Sequence, residues 1–317
     1  MIPIRNRWGR IIAYTARYIG ANPNAPKYIN SATSVLYTKG ETLFGIDRAF
    51  RLRDAENFII VEGAPDALRL QSIGLENTVA SLGTSWNENQ LNLLKRYKSS
   101  LCFIPDSDVA PEGQYGPGFK AVMECGTLAI RKGFHATVKE LPFGTRELTE
   151  EELQEKYEGA IPKDAQREVL VKNDADSYIL SEEIYRNLRE KHFIVWLAEK
   201  QFATASSLLR EINCVNQIAD LLRYVKDQFV YEQCIEQLSK IYGKARLWKD
   251  AVTQARNQAK RAKQPTMMDK QQEETDALRQ LNLFVRNNCY YCLGKDDEDP
   301  IRLSNFRMEP LFHIHDE

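Results

Sequence analysis

Apolar residues gather in short runs at Ile11–Tyr14, Phe58–Val61, Thr78–Leu82, Leu101–Ile104 and Ala136–Leu141, each bounded by Gly, Asp, Asn or Pro. Runs of this length with such boundaries predict buried strands. Between them the apolar positions recur every three or four residues. Ala67, Leu68, Leu70 and Ile73 do so over 65–73, Leu91, Leu93 and Leu94 over 87–97, and Val122, Met123, Leu128 and Ile130 over 119–132. Strands alternating with helices of that length predict an α/β fold, a parallel sheet flanked by helices, at least across 58–141.

The pattern changes near Leu148. Glu150 to Tyr157 reads as an exposed acidic helix or insertion ending near Gly159 and Pro162. From Ser181 to about Ala262 there is almost no Gly or Pro, and Leu, Ile, Phe and Tyr repeat at helical spacing, which predicts a bundle of helices. Gln264-Pro265-Thr266 reads as a break, Asp269 to Asn287 as another helix, and Asp296 to Pro300 as an acidic loop.

Composition sharpens this picture in two places. The 317 residues are 43% apolar and 27% charged, an ordinary globular balance long enough for two domains. The 43 basic and 44 acidic side chains leave a net charge of -1, which excludes a uniformly basic nucleic-acid coat. The charge is nevertheless uneven. Residues 1–53 carry nine basic against two acidic side chains, a local +7, and residues 144–190 carry thirteen acidic against seven basic, a local -6. One face for polyanions and another for cations or solvent is the natural reading. No run approaches 18 apolar residues and no signal-like stretch opens the chain, so a cytoplasmic protein without a membrane partner is expected. Cys102, Cys125, Cys214 and Cys234 sit in apolar or helical contexts and read as reduced, small hydrophobes.

The chemistry lies at the strand ends. Glu62 follows the run Phe58–Val61, and Asp66 comes four residues later as the next helix begins. Ligands bind at that end of an open parallel sheet. Asp106-Ser107-Asp108 follows Leu101–Ile104, and Asp174-Ala175-Asp176 follows the acidic stretch. Any one of these aspartates is explained by helix capping. Six carboxylates converging would repel one another unless divalent cations neutralised them, so the set predicts a Mg²⁺ or Mn²⁺ site.

The ordered motifs resemble those of the catalytic core of bacterial DnaG-type DNA primases, built on a TOPRIM domain. They begin with Pro3-Ile4-Arg5, Gly9-Arg10-Ile11-Ile12-Ala13-Tyr14 and Arg17. They continue with Pro26-Lys27-Tyr28-Ile29-Asn30-Ser31, Lys39-Gly40 and Leu43-Phe44-Gly45. Val61-Glu62-Gly63 with Asp66, Val79 to Thr84, Asp106-Ser107-Asp108 and Asp174-Ala175-Asp176 complete the series.

The resemblance implies a TOPRIM-type sheet, a mixed α+β N-terminal subdomain and a C-terminal helical region. The corresponding division is a basic subdomain at 1–57 and a catalytic TOPRIM domain at 58–178 with an acidic insertion near 144–170. A helical subdomain at 179–265 and a tail or linker at 266–317 follow. The resemblance also implies primer synthesis on single-stranded DNA by two-metal nucleotidyl transfer. In this reading Glu62, Asp66, Asp106 and Asp108 are catalytic, and Glu62, Asp106, Asp108, Asp174 and Asp176 hold Mg²⁺ or Mn²⁺. Arg10, Arg17, Lys27 and Lys39, with the Gly83-Thr84 turn, face nucleotide or template. The implied partners are ribonucleoside triphosphates, a DNA template and a replicative helicase in trans or fused.

Several features depart from the family pattern. Val109 to Gly118 interposes a Gly/Pro loop after the Asp-x-Asp pair, and Trp8 stands where an arginine is common. The family's zinc-binding module does not precede the first motif, so a fragment or a mobile-element variant is expected. Cys289-x-x-Cys292 with His313-x-His315 offers four zinc-type ligands at a spacing unlike that of fingers, and Cys289 and Cys292 stand only as a candidate pair, zinc not being expected. Tyr14, Tyr18 and Tyr28 are read as core rather than base-stacking residues. The rival functions are a TOPRIM nuclease or topoisomerase-like enzyme and a non-catalytic nucleic-acid-binding module.

Overall fold

The structure, a computed structural model, describes residues 1–20, 22, 28–82, 86–111, 114–158, 162, 165–262, 283–286, 289–292 and 301–303. The chain forms two compact units, Met1–Ala255 and Arg256–Glu317.

The first unit opens with a small antiparallel sheet of β1 (Ile2–Arg5), β2 (Ile11–Arg17) and β3 (Tyr28–Asn30), with β2 in the middle. Its strand period of two buries Ala13 and Thr15 and turns Tyr14 outward. Tyr14 is 44% and Tyr18 39% exposed, which corrects the expectation that they are core. β4 (Leu43–Phe44) and α1 (Ile46–Ala49) lead into the main sheet.

That sheet alternates β5 (Phe58–Val61), α2 (Ala64–Ser72), β6 (Thr78–Ser81), α3 (Glu88–Lys95), β7 (Ser100–Phe103), α4 (Pro117–Arg131) and β8 (His135–Lys139). Strands β6, β5, β7 and β8 are parallel neighbours. Both edges are antiparallel: β4 pairs with β6, and β11 (Glu190–His192) pairs with β8. The sheet is therefore mixed, with the expected parallel strands at its centre.

Alternate residues of the central strands feed two cores. Ile60, Val79, Leu101, Phe103 and Val138 face α3, α4 and the later helices, whereas Ile59, Val61, Ala80 and Ile104 face α2 and the N-terminal sheet. Continuous burial of β5 and β6 is what helices on both faces of a parallel sheet require.

Between β8 and the helical region the chain makes a two-stranded ribbon. β9 (Gly144–Glu147) pairs with β10 (Glu168–Val171), and α5 (Glu150–Lys156) lies in the excursion between them. α5 is the acidic helix read from the sequence, capped by Thr149. α6 (Ala175–Tyr178) and α7 (Glu182–Asn187) follow, then α8 (Phe193–Thr204), α9 (Leu208–Leu222), α10 (Gln228–Ile241) and α11 (Ala245–Ala262). Trp196 and Trp248 are fully buried among these helices.

The second unit contains an antiparallel sheet of β12 (Leu283–Arg286), β13 (Cys289–Cys292) and β14 (Ile301–Arg302). β12 occupies residues read from sequence as the end of a helix, a correction for 283–286. The short run Leu283-Phe284-Val285 gains its ladder partner only from the distant Cys289–Cys292 run, which local periodicity does not reveal. The rest of that expected helix lies outside the described residues.

Candidate active site

Glu62 leaves the end of β5 directly, and Asp106 follows β7 by three residues. Because β5 and β7 run in parallel with Ile60 opposite Phe103, the two carboxylates emerge side by side. The Asp106 N–H donates to Glu62 Oε1 at 3.3 Å. Asp66, in the first turn of α2, accepts from the Gly63 N–H at 3.1 Å through one oxygen and from the Asp176 N–H at 3.1 Å through the other. One buried carboxylate thus ties the starts of α2 and α6 together.

Asp108 accepts from the Gly118 N–H at 2.8 Å in the first turn of α4, and Asp174 caps α6 by accepting from the Ser177 N–H at 2.8 Å. The capping roles that would explain each aspartate singly are real for Asp66, Asp108 and Asp174, and these residues still converge. Helix starts arranged round one rim favour negative charge there.

A polar clasp joins the two Asp-x-Asp segments. The Ser107 N–H donates to the Asn173 carbonyl at 2.9 Å, and the Ser107 hydroxyl accepts from the Asn173 N–H at 2.9 Å. Ser107 is completely buried. The antiparallel ribbon β9–β10 carries the chain back to this clasp, with Val171 opposite Gly144. Ser107 and Asn173 were not singled out from the sequence as functional, and nothing local distinguishes them.

Lys172 was also missed. Its ammonium lies 2.5 Å from Asp106 Oδ2 and 2.9 Å from Asp108 Oδ1. The only sequence signal was a cation two residues before an acidic pair within an acidic stretch. Asp176 has a separate partner, accepting from Arg69 Nε at 3.1 Å.

Electrostatics follow from this crowding. Burial, with the charge of Asp106 added, pushes Glu62 up to about 7 and Asp66 up to about 6. Burial also raises Asp106, against the opposing pull of Lys172. Lys172 resists desolvation through its two carboxylate partners, which hold it charged well above the ordinary lysine range.

Glu62, Asp66, Asp106, Asp174, Asp176 and Lys172 line a cavity of about 410 Å³. Thr15, Arg17, Tyr28 and Asn30 from the small N-terminal sheet line it as well. Asn30 Nδ2 donates to the Leu82 carbonyl at 2.9 Å, fixing that sheet at the end of β6. Arg10 and Lys39 are exposed and do not line the cavity, and Asp108 stands behind its rim against α4. Lys27, Gly83 and Thr84 lie outside the described residues.

A family profile described as "DNA primase catalytic core, N-terminal domain" matches residues 1–50, and one described as "Toprim-like" matches residues 59–145. A DNA primase of Staphylococcus aureus is 27% identical over 241 residues, covering 73% of this chain and 37% of that protein. A DNA primase of Aquifex aeolicus is 39% identical over 145 residues, covering 45% of this chain and 28% of that protein. Across its N-terminal and Toprim segments the chain is homologous to bacterial DNA primases of the DnaG type.

The crystal structure of the zinc-binding and RNA polymerase domains of Aquifex aeolicus primase aligns with a TM-score of 0.53 at 27% identity. That alignment covers 78% of this chain and 52% of the crystallised one. The chain spans a little over a third of the length of the Staphylococcus aureus primase it matches.

For the divalent ions on which Toprim primases depend, the donor set fits: all six acidic side chains offer hard oxygen ligands. Gly118 leaves room beside Glu62, since a Cβ there would lie 2.2 Å from Glu62 Oε1 and 3.1 Å from the Asp106 carbonyl. Among the described residues no three acidic, His or Cys side chains are already closed into a cage. Cys289 and Cys292, three apart on β13, point to opposite faces of that strand. Arg302 donates to Cys289 Sγ at 3.0 Å, and His313 and His315 lie outside the described residues. Among the described residues no helix is long and apolar enough to cross a membrane.

Proposed function

We propose that this chain carries the nucleotidyl-transfer centre of a DNA primase, which extends short RNA primers from ribonucleoside triphosphates on single-stranded DNA. The observation that carries this reading is a cavity lined by carboxylates from three chain segments. Arg17, Tyr28 and Asn30, from the basic N-terminal segment, line it too. A carboxylate set holds cations, and a cationic, aromatic wall suits phosphates and bases.

Glu62, Asp106, Asp108, Asp174 and Asp176 are the residues that would hold Mg²⁺ or Mn²⁺. When bound, the ions supply positive charge at the attacking hydroxyl and at the leaving pyrophosphate. Glu62 Oε1, with its carboxyl raised to about 7, is suited to hold or release a proton near neutral pH. Asp66 orients the starts of α2 and α6 while contributing charge. Arg17, on the same lining, binds phosphate, with its guanidinium 6.0 Å from the centre of the Tyr28 ring. Arg10 and Lys39 extend the template and nucleotide path beyond the cavity, and Lys27, Gly83 and Thr84 take the nucleotide- or template-facing roles that the family resemblance implies. A replicative helicase, fused or in trans, supplies the unwound strand. Residues 1–57 act as the template-facing subdomain and 58–178 as the catalytic domain, with 179–265 as helical support and 266–317 as a link onward.

The test is incorporation of labelled ribonucleotides on a single-stranded DNA template with Mg²⁺ or Mn²⁺. Asp106→Asn and Glu62→Gln are expected to abolish product while retaining a cooperative melt. Synthesis retained by both variants would overturn the proposal.

A further inference from the structure

Resting on the metal-dependent reading above, we propose that Lys172 is a tethered counter-cation that occupies the carboxylate site before divalent ions arrive and must be displaced for them to bind. Its ammonium bridges Asp106 and Asp108 at 2.5 and 2.9 Å, the two members of one Asp-x-Asp pair. A buried carboxylate beside two others needs a positive neighbour to remain charged, and this side chain provides it.

The backbone at Lys172 is fixed from both sides. Val171 pairs with Gly144 in the β9–β10 ribbon, and Asn173 is clasped to Ser107. The side chain is 45% exposed and reaches in from the rim, so it can swing outward without any rearrangement of the chain. A divalent ion on Asp106 and an ammonium at hydrogen-bonding distance from the same oxygen exclude each other, because like charges that close repel strongly in a partly desolvated site. Metal binding therefore includes the breaking of two ion pairs. Once released, the ammonium remains on the cavity lining that includes Arg17, where it can follow a triphosphate. Lys172 is thus a positioning residue that sets metal affinity and links it to the arrival of polyphosphate.

The experiment is titration of the full chain with Mn²⁺ alone, counting free ion by electron paramagnetic resonance, with no nucleotide present. Lys172→Met is expected to bind Mn²⁺ about tenfold more tightly than wild type, the scale of one close charge contact. Lys172→Arg, which keeps the charge, is expected to stay near wild type. The metal-free Lys172→Met protein should melt lower than wild type and gain more from added Mn²⁺. Lys172→Gln replaces it if the Met variant does not melt cooperatively. Equal or weaker Mn²⁺ binding by the neutral variants would overturn the proposal. If wild type binds Mn²⁺ and Asp106→Asn loses that binding, such a result condemns the role of Lys172 alone. Absence of Mn²⁺ binding in wild type and neutral variants alike would condemn the metal reading together with it.

Discussion

The floor and the wall of the cavity are built differently. The floor is Glu62, Asp66 and Asp106, set by buried parallel strands and the first turn of α2, and its carboxyls are driven upward by desolvation. The wall is Lys172, Asp174 and Asp176, carried on a two-stranded ribbon and a four-residue helix, half-exposed and joined to the floor through Ser107 and Asn173. The difference teaches that a sheet can fix where charge accumulates while a returning loop decides what balances it. Floor variants should therefore remove the chemistry, wall variants should tune it, and the clasp should do some of each.

The largest effect is expected in the floor. Asp106→Asn should lower ribonucleotide incorporation at least about a thousandfold, as loss of a group acting in the transition state does, with the melting temperature little changed. Next comes the clasp. Ser107→Ala should destabilise by about 1–2 kcal/mol, because it leaves the half-buried Asn173 N–H without its acceptor, and should cut incorporation roughly ten- to hundredfold through misplacement of the wall. Denaturant melts and steady-state rates on one preparation check both numbers. If Ser107→Ala lost stability without activity, wall and floor would not be coupled as described.

A smaller effect is expected at Arg69, which holds Asp176 in a pair where both side chains are more than 40% exposed. Arg69→Gln should cost no more than about 1 kcal/mol and shift the metal concentration needed for half-maximal rate less than about tenfold. A separate effect concerns pH. Glu62 and Asp66 titrate near 7 and 6 in the fold, above their ordinary values of 4.5 and 3.8. Between the ordinary and the raised values the folded state keeps protons that the unfolded chain has released. Stability of the metal-free protein should therefore fall as pH rises from about 4 to 7, by up to several kcal/mol, read as a falling melting temperature. Glu62→Gln should flatten that slope, and Mn²⁺ should restore the loss at neutral pH.

The same contrast explains what the sequence disclosed. The strands β5 to β8 and their helices were legible because burial on both faces writes uninterrupted apolar runs, and Glu62 and Asp106 were legible as carboxylates at the ends of those runs. The edge strands were not: Glu190-Lys191-His192 joins the sheet through its backbone and carries no apolar pattern. Lys172 read as one of seven basic residues in an acidic stretch, since its meaning depends on a ribbon returning across about 25 residues. Tyr14 failed as a core residue because a half-buried strand turns alternate side chains outward, and Ala13 and Thr15 took the inward positions. Arg17, by contrast, shares the inward set with Thr15 and reaches the cavity, as the basic segment had suggested.

The central claim is that this cavity joins ribonucleotides under the direction of a DNA strand. Its most direct test is a template swap: labelled ATP and GTP offered separately, with Mn²⁺, on single-stranded DNA containing only thymine or only cytosine ahead of an annealed primer. The account predicts ATP incorporation on thymine and GTP incorporation on cytosine, with neither in Asp106→Asn. Incorporation indifferent to the template, or metal-dependent cutting of the DNA with no nucleotide joined, would contradict it.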